Sequence, residues 1–175
     1  MKKHLFLLLS VCLVSISCAQ ETKKTPQATT TETSVYYLIR HAEKDRSDKT
    51  NKDPNLTEAG HKRAAYWASV FENVPFDAIY STNYNRTKQT AQPTATAKGL
   101  KVMMYHPTKM DMDNFLKETR GKTVLVVGHS NTTPAFVNRL IRKENYEQID
   151  DRNNGNVYIV TISGASKTAQ LLTIN

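Results

Sequence analysis

Two histidines and two arginines stand at or just beyond the ends of three short apolar runs. Arg40 and His41 close the run VYYLIRH, His129 follows TVLVVG, and Arg86 lies five residues past FDAIYS. A neutral imidazole is a competent nucleophile toward phosphorus. Two guanidiniums can clamp the non-bridging oxygens of a phosphoryl group with paired hydrogen bonds and offset the charge of its transition state. A second imidazole can hold another oxygen. The arginines then supply the electrostatics that a metal ion supplies elsewhere, so this set of residues asks for no metal and no cofactor.

These groups meet only if the chain brings the three run-ends together. Residues 35–40 are apolar and rich in β-formers, which predicts a buried strand. Thr57 is a plausible N-cap for a helix that runs to about residue 73 on contacts from Ala59, Arg63, Tyr66, Trp67, Val70 and Phe71. Residues 76–81 predict a second strand. Residues 83–98 predict a second helix, in which Pro93 costs a backbone bond or a kink and which Gly99 ends. Strands at 101–105 and 123–127 flank a short helix at 111–119, and a further helix covers 132–143. Residues 157–162 and 169–174 predict an antiparallel pair at the sheet edge, after the turn signal Asn153-Asn154-Gly155. Strands alternating with helices predict an α/β fold, a three-layer α/β/α sandwich with a mostly parallel central sheet. In such a sheet functional groups gather at the carboxyl ends of the strands.

Four blocks then make a specific resemblance. They are Leu38-Ile39-Arg40-His41-Ala42-Glu43-Lys44, Leu56-Thr57-Glu58-Ala59-Gly60, the segment from Tyr80 to Ala91 bearing Arg86, and Val126-Val127-Gly128-His129-Ser130. In this order the chain resembles the histidine phosphatase superfamily, with the phosphoglycerate mutase-like fold, and its shortness suits a small single-domain branch. The resemblance implies that His41 is phosphorylated and that Arg40, Arg86 and His129 form the phosphate pocket, with Ser130 and Asn131 beside it. Ala42 replaces the family's usual Gly, a change expected to be tolerated. The leaving group needs an acid. In the mutase-like branch this is a Glu after the third strand, and Asp111 falls nearest that place, although an N-cap role suits it as well. Glu43 is a second candidate, with pairing to an arginine or Lys44 as its competing role. In the acid phosphatase branch an Asp follows the second histidine, and here Ser130 stands there. His61 reads as a solvated helix residue and His106 as part of a turn before Pro107.

Composition bounds the rest. The chain has 175 residues and a formal charge of +8, which falls to +6 if Lys2 and Lys3 leave with a signal. A basic surface favours anionic ligands. The cations are scattered without interleaved aromatics, which argues against nucleic acid. Residues 1–19 have the layout of a secretory signal: Lys2 and Lys3, an apolar run from residue 5, then small residues. Ser15-Ile16-Ser17-Cys18 loosely resembles a lipobox, which would place a lipid anchor on Cys18, and cleavage after Ala19 is the competing expectation. Both cysteines, Cys12 and Cys18, fall in this segment, so the domain has no disulfide or thiol nucleophile. Residues 20–33 are polar and Thr-rich and read as a flexible tether, leaving 34–175 as the domain.

The sequence thus predicts an exported phosphatase of the periplasm or outer envelope. It would act as a monomer on a small phosphorylated substrate, with specificity from residues 44–55 and 105–115. A non-catalytic anion-binding envelope lipoprotein is the alternative, and a structural lipoprotein would leave the histidines and arginines without a role.

Overall fold

The computed structural model describes residues 32–174. The expected signal segment, Cys12, Cys18 and the expected tether as far as residue 31 lie outside the described residues.

Six strands make one sheet in the order β3-β2-β4-β1-β5-β6. They are β1 (Thr33–Arg40), β2 (Ala78–Thr82), β3 (Val102–Tyr105), β4 (Thr123–Gly128), β5 (Asn156–Ser163) and β6 (Ser166–Thr173). Strands β3, β2, β4 and β1 are parallel, and β5 and β6 add an antiparallel hairpin at one edge. The first strand begins earlier than the apolar pattern suggested. Thr33 belongs to β1 rather than to the tether, because it pairs with Ser163 of β5 and its Oγ1 donates to Ser163 Oγ.

The period-2 alternation of the strands splits the core in two. On one face Ile39, Ile79, Leu125, Val127 and Val157 pack against Trp67 of α1 (Glu58–Val70), its C-cap Phe71, and Ala91 and Ala95 of α2 (Asn85–Lys98). On the other, Tyr36, Leu38, Val124, Val126 and Tyr158 pack against Phe115 of α3 (Met112–Glu118) and Phe136, Val137 and Leu140 of α4 (Thr132–Ile141). These are the three expected layers. Full burial of each large apolar side chain stabilises the fold by about 1.5–3 kcal/mol.

Caps set the helix ends. Thr57 accepts from Gly60 N, as predicted from sequence. Helix α2 begins at Asn85 rather than 83, where Asp53 Oδ1 reaches across from the loop between β1 and α1 to accept from Asn85 N. Pro93 does not break α2, which continues to Lys98 and ends at Gly99, where φ is +65°. Helix α4 stops at Ile141, two residues before the predicted end, because Arg142 takes the left-handed conformation with φ of 56°.

One glycine ties helix α1 to the site. A Cβ on Gly60 would lie 2.2 Å from the carbonyl oxygen of Glu43, two residues after His41. Thr57 N donates to that same oxygen at 2.9 Å. The Leu56–Gly60 block therefore acts as a seat for the turn leaving β1.

Candidate active site

The carboxyl ends of β1, β2 and β4 lie side by side, with Arg40 paired to Gly128 and Ser81 to Val127. This register places Arg40, His41, Arg86 and His129 on one cleft of about 320 Å³, with Ser130 and Asn131 on its wall.

His41 is 3% exposed and held from three sides. Its backbone N donates to Gly128 O at 3.0 Å, and its carbonyl accepts from Asn154 Nδ2 at 2.8 Å. Its Nδ1 lies 2.7 Å from Ala42 O. A carbonyl only accepts, so Nδ1 carries the proton and the Nε2 lone pair is left for chemistry. Burial, reinforced by the charges of Arg40 and Arg86 and by His129, pushes the His41 pKa down to about 3 despite the Ala42 hydrogen bond. The ring is therefore neutral at pH 7. Ala42 fits without strain: its φ is negative, its N donates to Thr90 Oγ1, and its methyl packs with Leu56 and Ala64.

Arg40 is 1% exposed. Its Nη1 donates to the carbonyls of Asp150 and Asn153 at 2.9 and 3.0 Å, and its Nη2 to Asp151 Oδ1 at 2.5 Å. Arg40 thus fastens the loop before β5 across the strand end, leaving its Nε unpartnered. Arg86 projects from the first turn of α2. Its Cζ lies 4.4 Å from the centre of the Tyr84 ring, its Nη1 is 3.6 Å from Asp53 Oδ1, and its Nη2 is 3.4 Å from His129 Nδ1.

His129 sits between these groups. Its Nε2 is 2.9 Å from Thr82 Oγ1, and Thr82 Oγ1 in turn donates to Thr87 Oγ1. The threonine proton is thereby used, so His129 Nε2–H donates and Nδ1 accepts from Arg86. Burial first, then the cations Arg86, Arg40 and Lys44, push its pKa down to about 4. The two imidazole centroids are 5.6 Å apart.

The buried donors Arg40 Nε, Arg86 Nε and Arg86 Nη1 have no hydrogen-bond partner among the described residues. A buried unpaired donor costs about 1–3 kcal/mol. Three of them, on two guanidiniums at one cleft, are suited to an oxyanion. No three His, Cys, Asp or Glu side chains converge as a metal site among the described residues.

The two candidate acids stand elsewhere. The Asp111 carboxylate caps α3, accepting from Asp113 N and Asn114 N, and it does not line the cleft. Glu43 Oε1 accepts from Arg63 Nε at 2.6 Å, and its side chain faces an adjoining cleft of about 410 Å³. Asn131 does line the central cleft, but its Oδ1 is engaged with Thr132 N, so a bond to a ligand would come from Nδ2.

Four contributors went unread in the sequence: Lys44, Tyr84, Asp151 and Asn154. Lys44 and Tyr84 lie inside the two blocks that carry His41 and Arg86, which is a usable signal. Asp151 and Asn154 come from an irregular loop, and nothing in their spacing points to the cleft. The carboxylate of Asp151 binds both Arg40 and Arg46, and those contacts hold its pKa below the usual carboxylate range.

The sequence profile of the histidine phosphatase superfamily (branch 1) matches residues 36–107. No curated protein matches the chain significantly. Among solved structures, a phosphoglycerate mutase from Bacillus anthracis has a TM-score of 0.65 at 13% identity, covering 82% of this chain and 94% of that one. A mycobacterial glucosyl-3-phosphoglycerate phosphatase has a TM-score of 0.62 at 15% identity, covering 82% and 99%. A phosphoserine phosphatase variant from Entamoeba histolytica, with phosphoserine bound, has a TM-score of 0.62 at 17% identity, covering 78% and 94%. At these identities the likeness is one of fold.

Proposed function

We propose that this chain, which belongs to the histidine phosphatase superfamily and is a phosphoric ester hydrolase, turns over a small phosphomonoester through a phosphohistidine on His41. The observation that carries the reading is a neutral, buried imidazole with its Nε2 free, set among buried guanidinium donors that lack partners.

The steps follow from the geometry. A phosphate ester enters with its non-bridging oxygens toward Arg40 Nε and the Arg86 guanidinium. The His41 Nε2 lone pair forms the P–N bond as the P–O bond to the leaving group breaks. Ala42 O holds the Nδ1 proton and so stabilises the cationic ring that results. Water then attacks phosphorus, the P–N bond breaks, and the pair returns to Nε2. His129, neutral and anchored by Thr82 at Nε2, fixes Arg86 by accepting at Nδ1. The cleft volume suits a small phosphorylated compound rather than a large polymer.

The test is turnover of p-nitrophenyl phosphate by the purified protein without added metal, repeated with His41→Ala. We expect the variant to lose at least about 1,000-fold in kcat, as removal of a nucleophile does. Phosphate binding without turnover by the wild type would instead favour the anion-binding lipoprotein. The basic and apolar character of residues 1–19 supports an exported, periplasmic or outer-envelope enzyme anchored by lipid on Cys18. Cys18→Ser is then expected to move the protein from the membrane fraction to the soluble one, and unchanged membrane association would refute the anchor.

A further inference from the structure

A phosphomonoester with a poor leaving group cannot depart as an alkoxide, so a proton must reach the bridging oxygen. The central cleft offers few sources. Arg40 and Arg86 do not release protons near neutrality. The His129 proton is donated from Nε2 to Thr82. The Asp151 carboxylate is ionised between Arg40 and Arg46. The Tyr84 ring lies against Arg86 and His129, on the phosphoryl side of the cleft.

Lys44 remains. It lies three residues after His41 on the turn leaving β1, held in place by an antiparallel bridge to Leu56 and by the Asp45 N bond to Asn55 O. It is half-buried and lines both the central cleft and the adjoining one. It therefore stands where a leaving group would pass out of the phosphoryl pocket. Among the described residues its ammonium has no hydrogen-bonded or ion-paired partner, although the arginines around it are engaged by Asp151 and Asp53. Lys44 is also among the cations that hold down the pKa of His129, which shows how near its charge lies to the reacting groups.

We propose that Lys44 is the proton donor to the leaving group. The proposal rests on the phosphatase reading and names a residue for the step that reading leaves without one. As His41 Nε2 forms its bond to phosphorus and the P–O bond breaks, Lys44 Nζ passes one proton to the bridging oxygen. The leaving group departs as a neutral alcohol and Lys44 is left as an amine. In the second step water attacks phosphorus, the P–N bond breaks toward His41 Nε2, the water gives its proton to solvent, and Lys44 takes a proton back from solvent to restore the ammonium. Arg40 on β1, Arg46 and Glu43 on the turn, Arg86 on α2, His129 after β4 and Asp151 on the loop before β5 face it. Burial first, then the charges of Arg86 and Arg46, hold its pKa below the ordinary lysine value against the opposing pull of Asp151. That shift brings the donor closer to the working pH.

The experiment compares wild type, Lys44→Met, Lys44→Arg and Tyr84→Phe on substrates from p-nitrophenyl phosphate, a good leaving group, to phenyl phosphate and an alkyl phosphate. Both Lys44 variants are expected to lose about 100-fold or more in kcat on the alkyl ester, the typical contribution of general acid catalysis, with little loss on p-nitrophenyl phosphate. The alkaline limb of the wild-type pH profile on the alkyl ester should vanish with them. Retained alkyl-ester activity in Lys44→Arg would show that only the charge matters and overturn the proposal. Equal loss across all leaving groups, or the leaving-group signature appearing in Tyr84→Phe instead, would overturn it too. Absence of any turnover by the wild type would sink the phosphatase reading as well, so the two failures are told apart by p-nitrophenyl phosphate alone.

Discussion

His41 and His129 owe their neutral state to what surrounds them. Both rings are buried, and both face Arg40 and Arg86, so protonation would put another positive charge into a site already crowded with them. With pKa values near 3 and 4 they remain neutral through the ordinary working range. The sign of the linkage follows. An unfolded histidine takes up its proton near pH 6.5, whereas the folded pair does so only near 3 and 4, so below about 6.5 the unfolded state binds more protons and stability is lost as the pH falls. In an NMR titration the ring signals of His41 and His129 should keep their neutral positions down to about pH 5. Midpoints near 6.5 would contradict this account of the site. The four residues that make the pocket were legible because each sits at a strand end or first helical turn inside a recognisable block. Asp111 was read as a candidate acid from its place after the third strand and Glu43 from its place beside His41, each with a competing structural role. The structure shows those competing roles: Asp111 caps α3, and Glu43 pairs with an arginine, Arg63.

The elements do the positioning through close approaches that tolerate no added atom. Gly128 ends β4 one residue before His129. A Cβ there would lie 2.7 Å from Thr133 Oγ1 and 3.0 Å from the Tyr105 hydroxyl. Gly128→Ala must therefore shift the β4–α4 turn. Overpacking of this kind typically costs about 1–3 kcal/mol, and here it also displaces His129. Urea unfolding and kcat/KM should both register the change, and unchanged values in both would show that the turn is less tightly fixed than these distances indicate. Strand identities were readable from β-branched runs such as TVLVV, and the Thr57 cap from its position before the helical pattern. The start of β1 and the end of α4 were not. Thr33 is recruited by a partner 130 residues away, and Arg142 adopts a conformation that its residue type does not advertise.

At the scale of the molecule, the sheet order is what turns distant sequence blocks into one site. Strand β4 inserts between β2 and β1, so the residues after the three strands converge although 89 positions separate Arg40 from His129. The antiparallel β5–β6 hairpin contributes by a different route. The loop that precedes it supplies Asn154 to the His41 carbonyl and two carbonyls and a carboxylate to Arg40. That contribution was invisible in the sequence because it comes from an irregular segment whose side chains follow no period. The proposed function turns on one covalent step, and trapping that step tests it most directly. The protein is mixed with p-nitrophenyl phosphate, quenched in base within a turnover and digested for mass spectrometry. Phosphate attached to the peptide carrying His41, stable to base, labile to acid and absent from His41→Ala, is the predicted result. Steady turnover with no phosphate on His41 under the same quench, or turnover that persists in His41→Ala, would contradict it.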